Sequence, residues 1–181
     1  MLSIVLTGAA LLSGSKNAAL PEKDIDGTIF LVNRQHVISE QYVPEPLRKT
    51  QVYGMSQSMR EDAATALEEL FQAAQADGIK LSSVSGYRSY SKQSLLYDRK
   101  TKRTGSETEA DKLVARPGAS EHQLGLAMDL ATRNSSTLSE KFGSTPEGQW
   151  VYANCQRFGF IVRYLKGYED VTGYSFEPWH I

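Results

Sequence analysis

An amphipathic stretch that ends before Gly78 places the firmest limit on how this chain can fold. Its apolar residues recur every three or four positions, the spacing that puts side chains on one face of an α-helix: Met59, Ala63, Leu67, Leu70, Phe71 and Ala74. Ser58 and Glu61 form a capping-box pattern, in which each side chain satisfies a free amide of the first turn. The pattern predicts a helix over residues 59–76 with its apolar stripe in the core.

The rest of the chain predicts strands mixed with helices. Pro146, directly after Thr145, marks the first turn of a helix that should end at Gly159. The predicted strands cover residues 79–84, 124–131, 160–164 and 173–181. A second helix is predicted to begin near Ser91, with Leu95 and Leu96 facing inward, and a short helix is predicted over residues 109–115. These elements do not alternate as strand, helix, strand near the C-terminus. We therefore expect a single α+β domain, a mostly antiparallel sheet with flanking helices.

Length and charge are those of one ordinary globular domain. The chain has 181 residues, of which 40% are hydrophobic, and its formal net charge is −1. This charge excludes a global field that would recruit nucleic acid or an anionic membrane. The single cysteine, Cys155, excludes an intrachain disulfide and a Cys-rich zinc site. A basic cluster at residues 99–103 (RKTKR) is interpreted as the solvated end of a helix, with an anion-binding patch as the alternative.

Residues 1–27 are predicted to form a signal-like segment and a linker. The folded domain is predicted to cover residues 28–181. Residues 2–12 (LSIVLTGAALL) are apolar, too short to span a bilayer, and suited to the hydrophobic region of a secretory signal. No Lys or Arg precedes them, so an ordinary buried segment is the alternative. Residues 13–27 are rich in small, polar and turn residues, which is typical of a linker. We therefore expect a location outside the cell or at the cell envelope.

Asp129 lies on an apolar segment, where a carboxylate needs a partner. By the two-residue period of a strand, it shares a face with Ala127 and Ala131. An isolated buried charge is very costly, so Asp129 requires a group that compensates it. The small alanine neighbours leave room for a cation and a substrate, while a salt bridge to an arginine is the structural alternative.

Two of the three histidines can join Asp129 at a metal. His122 precedes it by a turn, and His180 comes from a distant segment. Two imidazoles and one carboxylate, with a fourth position open for water, form the usual ligand set of catalytic zinc. Glu177 stands three residues before His180, and Pro178 between them breaks regular geometry. Glu177 is therefore the candidate general base beside the metal.

Several sequence blocks resemble one enzyme family. Ser-x-His-x-x-Gly-x-Ala-x-Asp at 120–129 and Glu-x-Trp-His at 177–180 are similar to the paired signatures of the zinc D-alanyl-D-alanine carboxypeptidases. These belong with the vancomycin-resistance D,D-peptidases and the L,D-carboxypeptidases in the hedgehog-like metallopeptidase superfamily. Further blocks resemble the family in the same order: residues 85–93 (SGYRSYSKQ), 159–164 (GFIVRY) and 171–174 (VTGY). The similarity covers about residues 28–181.

The resemblance implies a zinc metallopeptidase that removes the C-terminal D-alanine from bacterial peptidoglycan stem peptides. His122, Asp129 and His180 would bind Zn²⁺, and Glu177 would be the catalytic base. The closest alternatives keep the metal: an L,D-carboxypeptidase on tetrapeptides, a D,D-dipeptidase or an endolysin. An alternative from a different class is a catalytically silent peptidoglycan-binding module. The intact Glu177 and the full ligand set disfavour it, since a pure binder needs no base.

The same resemblance implies substrate contacts. Arg88 would stabilise the developing oxyanion or hold a substrate carbonyl, and Ser120 and Gln93 would hydrogen-bond the terminal D-amino acid. One departure is that the sequence stops at Ile181, where relatives usually continue through another strand and helix. If the chain is shortened, His180 would lie near a fraying end, which would affect metal affinity more than ligand identity.

Overall fold

The predicted amphipathic helix lies at the centre of the hydrophobic core. In the computed structural model, which describes Gly27 and residues 30–181, helix α1 spans Glu61–Ala76. Four of its buried residues belong to the predicted stripe and the fifth is Ala64: Ala63, Ala64, Leu67, Leu70 and Ala74. The predicted signal-like segment and linker lie outside the described residues, apart from Gly27.

A short strand replaces the first turn that the sequence predicts for this helix. Strand β2, Ser58–Arg60, pairs antiparallel with β1, Leu47–Lys49, and α1 begins directly after it. Arg60 precedes the helix, and no side-chain hydrogen bond caps it. The predicted capping box is wrong, because pairing with β1 holds Ser58 in a strand, away from the helix terminus. Met59 is nevertheless a fully buried core residue, as its place in the stripe predicts.

The remaining elements are short helices and strands separated by turns. In chain order they are β3 (Leu81–Ser85), α2 (Tyr90–Thr104), α3 (Glu107–Asp111), β4 (Asp129–Thr132), α4 (Pro146–Asn154) and α5 (Glu169–Thr172). Turns of 3-10 helix cover Glu121–Leu124, Glu140–Ser144 and Cys155–Phe158. The described residues thus form an α+β fold with short antiparallel sheets, as predicted. Within this part of the chain, no helix is both long and apolar enough to span a bilayer.

The antiparallel pair of β3 and β4 is the scaffold of the candidate site. Ser83 lies opposite Leu130, and a register irregularity then places Ser85 opposite Asp129. The chain leaves β3 at Ser85 and continues into the loop of residues 86–88. This pairing brings that loop next to the first residue of β4.

Isolated backbone bridges, not regular strands, hold the C-terminal segment in place. Asp129 bridges to His180, and Tyr164 bridges to Glu177. The two strands predicted for this region are therefore reduced to single bridges, with α5 lying between the two segments. The bridges still bring both halves of the predicted metal site together.

The chain end beside His180 is fixed by its backbone. The Ile181 N–H donates to Met128 O at 3.1 Å, and the Met128 N–H donates to Ile181 O at 2.9 Å. The side chain of Ile181 packs in the main core, and His180 is only 4% exposed. In this structure the residue after His180 is therefore paired with Met128 through its backbone.

Several predicted boundaries and faces differ because tertiary contacts decide them. The segment predicted as a strand over 124–131 begins instead with a 3-10 turn that ends at Gly125, where φ is +69°. The left-handed φ and a Cβ only 3.0 Å from the backbone nitrogen of Arg60 would both strain a side chain at this position. Leu95 on α2, predicted to face inward, is 54% exposed.

The two remaining predicted helices occur with shifted ends. The helix predicted over 109–115 lies at Glu107–Asp111. The helix that begins at Pro146 is capped by Thr145, whose hydroxyl accepts from the Gly148 N–H at 3.1 Å. It ends at Asn154, and a 3-10 turn continues to Phe158. The start of this helix was therefore predicted correctly from Thr145 and Pro146.

Leu67→Ala should lower the free energy of unfolding by about 2–5 kcal/mol, since it removes a fully buried side chain from the centre of α1. Urea denaturation followed by circular dichroism measures the change. Gln72→Ala is the matched control, because Gln72 is exposed on the same helix and should change stability by less than about 0.5 kcal/mol. Equal losses in the two variants would contradict the position of α1 in the core.

Candidate metal centre and active site

The three predicted metal ligands meet in the interior of the protein. His122 lies in the 3-10 turn after Ser120, Asp129 is the first residue of β4, and His180 is bridged to Asp129 through its backbone. All three side chains are buried, and one potential ligand atom from each lies within 4.8 Å of the others. The fold thus brings together residues that are far apart in sequence.

The ring nitrogens of both histidines point at the carboxylate. His122 Nε2 lies 3.3 Å from Asp129 Oδ2, and His180 Nδ1 lies 3.2 Å from Asp129 Oδ1. The other nitrogen of His122, Nδ1, lies 2.8 Å from the Gly86 carbonyl oxygen. Because a carbonyl only accepts hydrogen bonds, Nδ1 carries the proton and the Nε2 lone pair faces Asp129.

These residues fit a zinc ion. Two imidazole nitrogens and a carboxylate are a zinc ligand set with one coordination position left over. Among the described residues, the buried Asp129 Oδ1 has no donor in regular hydrogen-bond geometry, which leaves this oxygen available to a cation. The backbone carbonyl of Gly86 fixes the tautomer of His122, the usual arrangement behind a metal-binding histidine.

The electrostatics of the site also favour a bound cation. Burial raises the pKa of Asp129, but the two histidines outweigh this effect and hold the pKa well below its ordinary value. Burial and the nearby Arg88 charge lower the pKa of His122. Both groups are therefore held in the deprotonated form that metal binding requires. Burial alone would lower the pKa of His180, but the neighbouring Asp129 carboxylate raises it.

Glu177 lies beside the ligands. Its Oε2 is 3.7 Å from His180 Nδ1, and its side chain is largely buried. Burial raises the pKa of Glu177 to about 7. The bridge between Tyr164 and Glu177 fixes the backbone at this point, so the carboxylate is held at the metal ligands. The position is that predicted for a general base.

Two hydrogen bonds hold the Arg88 guanidinium beside Asp129. Its Nη1 donates to Gln93 Oε1 at 2.7 Å, and its Nη2 donates to Ser85 Oγ at 2.9 Å. Nη2 also lies 3.6 Å from Asp129 Oδ2. The guanidinium therefore contacts the predicted ligand carboxylate and at the same time borders the cavity in front of it.

The two predicted substrate-binding residues each have a protein partner. Gln93 is fully buried, and its Nε2 donates to Ala115 O at 2.6 Å. Ser120 precedes the turn that carries His122, and its Oγ accepts from the His122 N–H at 3.4 Å. Both residues line the cavity. Contact with a terminal D-amino acid stays a prediction for each of them.

Glu121 is a site residue that sequence reasoning missed. Its carboxylate accepts from the Tyr164 hydroxyl at 2.8 and 2.9 Å and from Arg163 Nε at 3.0 Å. Its Oε2 also lies 3.8 Å from His180 Nε2, the ring nitrogen that faces away from Asp129. This separation is too long for a hydrogen bond, so Glu121 places negative charge near the His180 ring and raises the pKa of His180. The position of Glu121 between Ser120 and His122 was the available signal.

These side chains open on one cavity of about 670 Å³. It is large enough for several residues of a peptide. The lining includes all seven predicted site residues: Arg88, Gln93, Ser120, His122, Asp129, Glu177 and His180. A metal centre with a candidate base, at the wall of a peptide-sized cavity, is an arrangement suited to hydrolysis.

Comparison with known proteins identifies the family. The profile of the VanY family, described as D-alanyl-D-alanine carboxypeptidase, matches residues 56–181, which include every predicted site residue. The chain belongs to the VanY family. The resemblance seen in the sequence motifs is thereby confirmed.

The relatives of this VanY-family chain include peptidases from enterococci. A D-alanyl-D-alanine carboxypeptidase of Enterococcus faecalis (strain ATCC 700802 / V583) is 40% identical over 164 residues, which are 84% of this chain and 57% of the relative. The chain spans between half and two thirds of the length of the first three curated relatives that it matches.

Solved structures share the fold. The LdcB LD-carboxypeptidase is 42% identical, with a TM-score of 0.81 over 87% of this chain and 77% of that one. A mutant of the vancomycin-resistance D,D-pentapeptidase VanY from the VanB-type cassette, in complex with Zn(II), is 36% identical. Its TM-score is 0.71 over 84% of this chain and 85% of that one. The VanY-type fold predicted from the motifs is therefore shown.

Proposed function

We propose that this chain is a zinc-dependent carboxypeptidase that removes the C-terminal D-alanine from peptidoglycan stem peptides. In this proposal His122, Asp129 and His180 hold the zinc, and Glu177 is the general base. The observation that carries it is the buried cluster of these three ligands with Glu177 beside it, at the wall of a peptide-sized cavity. Family membership and the Zn(II) complex of the VanY relative support the same conclusion.

The chain's own residues supply the proton transfers. Bound zinc contributes Lewis acidity, which lowers the pKa of water and polarises a carbonyl group. The Glu177 carboxylate accepts the proton of the attacking water and then delivers it to the nitrogen of the leaving D-alanine. The amide C–N bond breaks as that nitrogen gains the proton, so the base is regenerated.

Arg88 supplies positive charge where the substrate carbonyl oxygen becomes negative. Its guanidinium is held by Gln93 and Ser85, so little reorganisation is needed when the charge develops. Ser120 lies on the same cavity wall and would contact the terminal D-amino acid, together with Gln93. These three roles are part of the proposal.

The buried position of Glu177 favours an enzyme over a silent binding module. Transfer of a carboxylate into a largely buried site beside Asp129 costs free energy, as its raised pKa reflects. A module that only binds peptidoglycan has no need of a buried carboxylate at this place. A hydrolase needs one, because its base must contact the attacking water.

The proposal extends to the place of action. The substrate class belongs to the bacterial cell wall, so the enzyme would act outside the cell or at its envelope. Residues 1–27 would then serve as the signal-like segment and linker, and residues 28–181 as the catalytic domain. Secretion of a reporter protein fused to residues 1–27 tests this part, and retention of the reporter in the cytoplasm would contradict it.

Product analysis on defined stem peptides tests the proposed reaction. Purified zinc-loaded protein should convert a pentapeptide to a tetrapeptide and free D-alanine, as detected by mass spectrometry. Release of D-alanine from a tetrapeptide alone would indicate an L,D-carboxypeptidase, and release of D-Ala-D-Ala would indicate a D,D-dipeptidase. Cleavage only within cross-linked wall would indicate an endolysin. Binding without any cleavage would indicate a silent module.

Arg88→Lys should lower kcat/KM by about one to three orders of magnitude, because an ammonium cannot replace the planar fork of a guanidinium. Thermal stability should stay near that of the wild type. The contact of 3.6 Å with Asp129 makes a scaffold role the specific rival. A loss of stability without a loss of specific activity in the folded fraction would assign Arg88 to that role.

A further inference from the structure

Helix α2 faces the active-site cavity with basic side chains. Leu96, Arg99, Lys100 and Arg103 all line the cavity, and their spacing of three and four residues places them on one face of the helix. Lys102 belongs to the same basic cluster but does not line the cavity. The cluster lies at the end of a helix, as interpreted from the sequence, yet three of its four cations border the active site.

These three cations are unpaired in the part of the chain that the structure describes. No carboxylate of that part forms an ion pair with Arg99, Lys100 or Arg103. Burial and the charge of Arg103 lower the pKa of Lys100, while the charge of Glu177 acts in the opposite direction. Lys100 is thus close enough to the active site to interact with its base. This face of α2 therefore carries positive charge that no ion pair within the described residues neutralises.

The distance along α2 sets which part of a substrate could reach these cations. Gln93, which binds Arg88 at the site, lies seven residues before Lys100 on the same helix. At 1.5 Å per residue, this separation is about 10 Å along the helix axis. An extended peptide covers about 3.3 Å per residue, so 10 Å corresponds to about three residues.

The direction of the peptide follows from the proposed reaction. A carboxypeptidase releases a single residue from the C-terminus, so any contact about 10 Å from the scissile bond must be made by the residues before that bond. A group that neutralises Lys100 and Arg103 there must be an anion. In a peptide substrate, the anion available in the middle of the chain is a carboxylate.

We propose that Lys100 and Arg103, with Arg99, form a subsite for a carboxylate on the third residue before the scissile bond. The inference rests on the proposed carboxypeptidase function and specifies its substrate as an acidic peptide. Arg103 can bind the carboxylate through two parallel hydrogen bonds, and Lys100 adds a point charge.

Two pentapeptides test this subsite. Both end in D-Ala-D-Ala and differ only in the third residue before the scissile bond, which is glutamate in one and glutamine in the other. The wild type should favour the glutamate peptide by about three- to tenfold in kcat/KM, the range for one or two partly exposed ion pairs. Most of the difference should be in KM, and it should shrink as the salt concentration rises.

The double variant Lys100→Gln/Arg103→Gln should bring the ratio of the two kcat/KM values close to 1. Lys102→Gln is the matched control, because it removes a charge from the same helix outside the cavity lining and should keep the wild-type ratio. Circular dichroism and zinc content establish that each variant is folded and loaded. A wild-type ratio of 1, or a ratio unchanged in the double variant, would overturn the proposal.

Binding separates this inference from the proposed function. Dissociation constants of the same two peptides, measured by calorimetry, should show the same preference in the wild type and its loss in the double variant. If neither peptide is cleaved but this binding preference holds, the subsite stands and the carboxypeptidase proposal fails. If both peptides are cleaved without any preference in binding or kcat/KM, the carboxypeptidase proposal stands and the subsite fails.

Discussion

His122→Ala should reduce bound zinc from about one ion per chain to about a tenth of that, after dialysis against zinc-free buffer. Loss of a residue that only supports a ligand lowers metal affinity by about 10–100-fold, and loss of a ligand should cost at least as much. The two ligands that remain, Asp129 and His180, offer the ion fewer than the three protein donors of a catalytic zinc site. Elemental analysis of the purified protein measures the change.

His36→Ala is the matched control for this variant. His36 is partly exposed and forms its hydrogen bonds with Asn33, outside the metal cluster. The control removes one of three imidazoles in the chain and should keep the full zinc content. Equal zinc in the wild type and in His122→Ala would remove His122 from the site. A loss of zinc in His36→Ala would show that the metal also binds elsewhere.

Glu177→Gln should lower kcat by about 10²–10⁴-fold while the zinc content and the fold remain unchanged. The amide has the shape of the carboxylate but cannot accept a proton from water. The side chain lies 3.7 Å from His180, so the substitution changes the group beside the metal without removing a ligand. Single-turnover measurement of D-alanine release from a pentapeptide separates this loss from an effect on product release.

Glu140→Gln is the control for the loss of a negative charge in the cavity. Glu140 lines the same cavity but is exposed and lies in a separate 3-10 turn. Its neutralisation should change kcat by less than about threefold, within the effect of one surface charge. A zinc-loaded Glu177→Gln protein with nearly normal kcat would show that the base is another residue.

The metal cluster could be predicted because its chemistry is rare in this chain. Only three histidines occur. His122 lies just before the apolar segment that contains Asp129, and His180 lies next to the last residue of the sequence. Such a carboxylate needs a partner wherever the segment lies in the fold. His122, Asp129 and His180 are indeed buried together, in a group that could hold a metal ion.

Element boundaries were less predictable because contacts between distant residues decide them. Ser58 has the local pattern of a helix cap, yet it lies in β2 and pairs with Lys49 of β1. The segments around Tyr164 and Glu177 alternate like strands, but only a single bridge forms between them. Nothing in either segment reveals how far the pairing extends, since the partner lies elsewhere in the chain.

Roles that depend on the third dimension were also beyond the sequence. Glu121 lies between two predicted site residues, but its contacts with Arg163, Tyr164 and His180 appear only when the 3-10 turn meets the C-terminal segment. The cations at 99–103 are similar: a helix end is visible in sequence, but the cavity beside it is not. Propensity and periodicity describe one element at a time, whereas these roles arise between elements.

Zinc-dependent release of D-alanine is the most direct test of the account. Protein stripped of metal by a chelator should release no D-alanine from a pentapeptide ending in D-Ala-D-Ala. Titration with Zn²⁺ should restore release in proportion to the metal added, up to about one ion per chain, since the described residues contain one candidate ligand cluster, that of His122, Asp129 and His180. Release that persists without metal, or a zinc-loaded protein that releases none, would contradict the account.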